Sequence, residues 1–111
     1  DNKINNLKIK WDKKKSITIV LCAKGYPGKY IKNSEIKNLN KVKENKNNKI
    51  FHAGTYKKNN KIYSNGGRVL NITSTSKNFI EARKKSLKNI NKINWLDGFC
   101  RKDIGWRVIN N

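Results

Sequence analysis

The sequence predicts an α+β, β-rich domain: a small antiparallel or barrel-like sheet with one main helix over about residues 79–93. Three observations carry that class. Short β-branched runs such as "SITIVLCA" and "GRVLNITSTS", separated by Gly, Asn and Pro, fill the first two thirds of the chain. The apolar period then changes once, from that of strands to that of a helix, at "NFIEARKKSLKNINKI". At 111 residues and 35% hydrophobic, the chain has material for one domain with a modest core.

Residues 16–23, "SITIVLCA", make an almost continuous apolar run that reads as a buried strand. The run ends at "KGYPGKY", where Gly25 and Gly28 permit positive φ and Pro27, the only proline, fixes a bend. A short strand is expected around Ile36, followed by the polar loop "KENKNNK". "IFHAGTY" and "KIYSNGG" flank "KKNN", which predicts two strands and a hairpin turn. "GRVLNITSTS" supplies the next strand through Val69, Leu70 and Ile72. In the helix, Phe79, Ala82, Leu87, Ile90 and Ile93 fall on one side, and Asn78 with Glu81 resembles a capping box. Gly98 and Gly105 break the closing segment, in which Trp95 and Trp106 are the expected packing anchors.

Charge and composition exclude some functions and leave others open. The formal net charge is +20, and Arg supplies only four of the 27 basic residues, leaving 23 Lys. Asn and Ile are inflated alongside Lys, the pattern of an AT-rich coding sequence, so a solvated Lys surface explains most of the charge. A dedicated nucleic-acid binder would favour Arg, whose planar fork fits phosphates and bases. A small basic nucleic-acid-binding β-domain remains the alternative reading. No apolar run reaches the ~18 residues of a membrane span, and no secretory leader is visible. A cytoplasmic protein is therefore expected. The chain begins at Asp1 and contains no Met, so it is read as one domain, residues 1–111, of a longer protein.

Catalytic constellations are sparse. There is no Walker loop, no carboxylate pair at catalytic spacing and no Ser-His-Asp set. Seven acidic residues without a cluster give a divalent cation little to bind, so no metal ligands are assigned. Cys22 and Cys100, with a single His, make neither a disulfide framework nor a zinc site; Cys22 reads as an inert thiol in a strand. His52 in "FHAGT" has no evident acid, base or metal partner and is expected to brace the hairpin. What remains are glycine turns beside basic residues: "GYPGKY", "NGGRVL" and "RKDIG". Such turns let backbone N–H groups approach an anion, and an adjacent Arg grips phosphate bidentately.

Taken together, "AKGYPGKYIKNSEI", "FHAGT", "NGGRVLNIT", "EARKKS" and "RKDIGWR" resemble, in order and spacing, the C-terminal domain of glycinamide ribonucleotide synthetase (phosphoribosylamine–glycine ligase). The resemblance runs from about Leu7 to Arg107. It implies the C-domain fold of ATP-grasp enzymes, similar to a single hybrid motif, in a ligase of de novo purine biosynthesis. Such enzymes join phosphoribosylamine to glycine through a glycyl phosphate, with ATP and Mg (or Mn) bound in domains upstream of this segment. No cofactor is then expected in this domain, which alone would be inactive and carries no catalytic residue. Its partners would be the rest of the same polypeptide and the substrate phosphoribosylamine; neither membrane nor nucleic acid is expected.

The resemblance also implies that the domain walls the substrate cleft. Arg68 would face the ribose phosphate from the glycine turn of Gly66 and Gly67, with Lys61 on the preceding strand assisting. Three positions depart from the family's usual pattern. Asn33 replaces a Gly, a place where Asn best tolerates the left-handed conformation. Leu87 replaces a frequent aromatic, and Asn71 follows "GRVL" where a small residue is usual.

Overall fold

The computed structural model describes residues 13–105. Trp106, expected as a packing anchor, lies outside them. Seven strands and one α-helix are formed among the described residues: β1 (Lys15–Ala23), β2 (Glu35–Ile36), β3 (Asn48–His52), β4 (Thr55–Lys58), β5 (Lys61–Ser64), β6 (Arg68–Ser76), α1 (Phe79–Lys92) and β7 (Gly98–Phe99). They build two antiparallel sheets, one ordered β3-β6-β1-β7 and one ordered β2-β5-β4. The β-rich α+β class is as expected, although the described strands do not close into a barrel.

β1 alternates rather than burying both faces. Ile17, Ile19, Leu21 and Ala23 enter the core, while Thr18, Val20 and Cys22 lie on the outer face. β6 runs beside it in register from Lys15–Ser76 to Leu21–Leu70. Leu21, Ala23, Val69, Leu70, Ile72, Ile36 and Trp95 form the main core cluster. Burying side chains of this size stabilises by roughly 1.5–3 kcal/mol each.

The segment "IFHAGTY" is not one strand of a hairpin. Its first half belongs to β3 and pairs with β6, and its second half is β4 and pairs with β5. The break falls at Ala53–Gly54, whose N–H groups both donate to the Val69 carbonyl, at 3.0 and 3.1 Å. This corner passes the chain from the four-stranded to the three-stranded sheet. A side chain at Gly54 would meet the Arg68 carbonyl oxygen at 2.7 Å, so the close approach requires glycine. The β4–β5 hairpin turns on Asn59 and Asn60, both at positive φ (52° and 62°). That is the two-residue turn whose twist matches the strands.

Helix α1 begins where expected. The Asn78 side chain accepts the Glu81 N–H at 2.8 Å, one half of a capping box. The Glu81 carboxylate does not return to Asn78; it accepts the Ser76 hydroxyl at 3.0 Å. The buried stripe is Ala82, Ser86 and Asn89, with Phe79, Leu87 and Ile90 half-buried beside it. Small and hydrogen-bonded residues thus hold the centre of the helix face. Ser86 donates to the Ile17 carbonyl at 3.4 Å, and Asn89 donates to Asn48 Oδ1 at 3.1 Å, which removes the cost of burying them.

Trp95 anchors the closing segment as expected. Its indole N–H donates to Ser34 Oγ at 3.2 Å, and Ser34 donates in turn to the Asp97 carboxylate at 2.7 Å. The chain ties the loop before β2 to the segment before β7. Asn33 adopts φ 60°, the left-handed conformation read for it from the sequence.

Candidate functional site

The ladder between β1 and β6 carries one irregularity. Leu21 faces Leu70, yet the next residue, Cys22, faces Arg68, so Val69 is an extra residue on β6. Val69 and Leu70 are both fully buried. A bulge of this kind re-aims the side chain beside it. Arg68 therefore shares the outer face of the sheet with Cys22, Val20 and Asn71, and its side chain is exposed.

The turn before Arg68 is held by close contacts. Gly67 accepts the Ala23 N–H at 2.8 Å. The Tyr26 ring covers Gly67 so closely that a Cβ there would lie 2.0 Å from Cδ1. Gly66 packs on Gly54, with 3.4 Å between its Cβ direction and the Gly54 Cα. Among the described residues, no carbonyl takes the N–H groups of Gly66 and Gly67. Uncommitted N–H groups of this kind are the donors that a backbone anion contact uses.

Val20, Tyr26, Ala53, Gly67, Arg68 and Asn71 line an open depression of about 430 Å³. No carboxylate is paired with Arg68: the ion pairs among the described residues are Lys77–Glu81 and Arg101–Asp103. An unpaired guanidinium beside free N–H groups is suited to a phosphate or carboxylate ligand. Among the described residues, no three His, Cys, Asp or Glu side chains gather to hold a metal ion. The described residues do not fit Mg or Mn.

The structure separates the residues singled out in the sequence. Arg68 and Gly67 line one depression, with Gly66 directly behind. Lys61 is exposed at the opposite end of β5, across from Lys58, about 10 Å of strand before Ser64. It lines a different groove, with Glu35, Lys37 and Leu39. His52 is exposed, and its Nδ1 lies 2.9 Å from the Thr55 hydroxyl, bridging the Ala53–Gly54 corner. It braces the passage between the sheets rather than a hairpin.

Burial pushes the Cys22 thiol pKa up and Arg68 draws it partly back, while Cys100 adds to the rise. Burial likewise raises Cys100, against the opposing charge of Lys102. Both are held as thiols, a poor state for a nucleophile.

Sequence reasoning did not place Tyr26 and Asn71 beside Arg68. The signal for Tyr26 was its place between Gly25 and the proline of a sharp turn, but nothing local pairs it with Gly67. Lysines stand on β1, β3, the β4–β5 hairpin and α1 alike, with no single element concentrating them.

Fold and candidate site together describe a small α+β unit: two antiparallel sheets and one helix, with Arg68, in no ion pair among the described residues, beside a bulge. Comparison with known proteins gives the family. The chain belongs to the family described as "Phosphoribosylglycinamide synthetase, C domain", whose model matches residues 16–107. It is 41% identical over 106 residues to a phosphoribosylamine–glycine ligase of Agrobacterium fabrum, covering 96% of this chain and 25% of that protein. It is 44% identical over 103 residues to that of Fusobacterium nucleatum, covering 92% and 24%. The crystal structure of phosphoribosylamine–glycine ligase from Thermotoga maritima superposes with a TM-score of 0.66 at 33% identity, covering 79% of this chain and 21% of that one. The chain thus spans about a quarter of the length of the curated relatives it matches.

Proposed function

We propose that this chain serves as the C-terminal domain of an ATP-dependent phosphoribosylamine–glycine ligase of purine biosynthesis, acting in the cytoplasm, and that it walls the substrate cleft. In this reading Arg68 binds the ribose phosphate of phosphoribosylamine, the N–H groups of Gly66 and Gly67 add hydrogen bonds, and Lys61 contributes positive charge from the far end of β5. ATP and its Mg or Mn bind elsewhere in the longer polypeptide, which is this domain's partner. The isolated domain has no turnover of its own.

The single observation that carries the reading is the unpaired Arg68 raised by the Val69 bulge into an open depression. The chemistry follows. A phosphate dianion far from the reacting amine gives the enzyme a handle, and binding energy there supports the positioning of the amine against an acyl phosphate. Arg68→Ala in the full-length ligase tests this. The KM for phosphoribosylamine should rise about tenfold or more, since a charge-assisted contact contributes about 1.5–3 kcal/mol. Unchanged kinetics for that substrate would remove Arg68 from the site.

A further inference from the structure

We infer that Asn71 reads the sugar hydroxyls of the ligand whose phosphate Arg68 holds, which makes the depression a pentose-phosphate subsite. The inference rests on the phosphate reading proposed above and goes beyond it to a second residue and a second part of the ligand.

Three observations lead there. In an unbroken strand, residues 68 and 71 would face opposite sides of the sheet, because side chains alternate. The extra residue Val69 cancels that alternation and sets Arg68 and Asn71 on one face, lining one depression. At most three residues of rise separate them, about 10 Å along the strand, and both line the same open depression.

The second observation concerns partners. Two polar contacts are formed further along this face of the sheet. Thr18 and Thr73 hydroxyls lie 2.7 Å apart across the ladder, and Thr75 donates to Asn47 at 2.9 Å. Asn71 stands between Val20 and Phe51 on its neighbouring strands, and neither side chain can bond its amide. It is half-buried, no described residue hydrogen-bonds its amide, and the amide atoms stay in contact with solvent.

The third is chemical. A phosphate needs donors alone, and Arg68 with two free N–H groups supplies them. A carboxamide offers both a donor and an acceptor, which matches the hydroxyls of a sugar. Tyr26, with its ring fixed over Gly67, adds an aromatic wall for the apolar side of the pentose. Asn71 is also one of this chain's departures, standing where a small residue is usual after "GRVL".

The test compares the full-length wild-type ligase with its Asn71→Ala and Arg68→Ala variants. Inhibition constants against phosphoribosylamine are measured for ribose 5-phosphate, 2-deoxyribose 5-phosphate, 3-deoxyribose 5-phosphate and inorganic phosphate. The wild type should prefer ribose 5-phosphate over at least one deoxy analogue by about three- to tenfold, the size of one hydrogen bond. Asn71→Ala should erase that preference while leaving inorganic phosphate unchanged, and Arg68→Ala should weaken all four ligands while keeping the preference. Each preference is a ratio taken on one protein sample, so partial misfolding cannot imitate it. Wild-type ratios in Asn71→Ala would overturn the inference. Unchanged constants in Arg68→Ala would instead overturn the phosphate reading, whichever way Asn71→Ala behaves.

Discussion

Cys22 stands across the ladder from Arg68, one step after Leu21 has faced Leu70, so a thiol and the unpaired guanidinium share one side of the sheet. The positive charge draws the Cys22 pKa down against the larger upward push of burial. Replacing Arg68 with Gln should therefore slow alkylation of Cys22 by iodoacetamide near pH 8, because less thiolate is present. Cys100, which takes its opposing charge from Lys102, should react at an unchanged rate. Site-resolved mass spectrometry distinguishes the two. An unaltered Cys22 rate would mean that the charge does not reach the thiol.

The same thiols give a pH dependence with a definite sign. Each holds its proton more tightly in the folded chain, its folded pKa being raised above the ordinary value. Their contribution to stability is complete below the ordinary thiol range and declines as pH climbs through that range toward the raised values. The thermal midpoint of the wild type should fall faster than that of Cys22→Ser/Cys100→Ser between about pH 8 and pH 10. Parallel decline of the two proteins would contradict this.

Gly67 is fixed by Tyr26. A Cβ at residue 67 would sit within 2.0 Å of the ring at Cδ1 and 2.5 Å at Cε1. Gly67→Ala should destabilise by about 1–3 kcal/mol through overpacking. The penalty should shrink in a Tyr26→Ala background, where the ring is gone. Denaturant unfolding of the four proteins of this double-mutant cycle measures the coupling, and purely additive effects would show that the contact does not set the turn.

Ser34 links Trp95 to Asp97 through two hydrogen bonds, one accepted and one donated. Ser34→Ala should cost about 1–3 kcal/mol, since it leaves a part-buried indole N–H and a carboxylate without their partner. A loss near zero by chemical denaturation would show that water replaces the hydroxyl.

Much of the fold was legible in the sequence because it depends on local chemistry. Asn59 and Asn60 turn the hairpin because Asn tolerates positive φ, and Asn78 caps the helix with its side-chain amide oxygen. The features that define the site were not legible, because each depends on a partner distant in the chain. Val69 and Leu70 are both apolar, so no break in period betrays the bulge that turns Arg68 outward. "FHAGT" reads as continuous strand until the Val69 carbonyl takes both N–H groups at Ala53–Gly54. Ser86 and Asn89 look solvent-facing until Ile17 and Asn48 satisfy them. "NGGRVL" suggested an anion contact from its residue types alone, whereas Tyr26 and Asn71 come to line one depression with Arg68 only once the sheet is assembled.

Whether Arg68 holds the substrate phosphate is read most directly from the KM for phosphoribosylamine in the full-length ligase. Arg68→Ala should raise that KM about tenfold or more, Arg68→Lys should raise it less, and the KM values for glycine and ATP should stay at wild-type level. Equal loss for all three substrates, or no change for phosphoribosylamine, would contradict the claim.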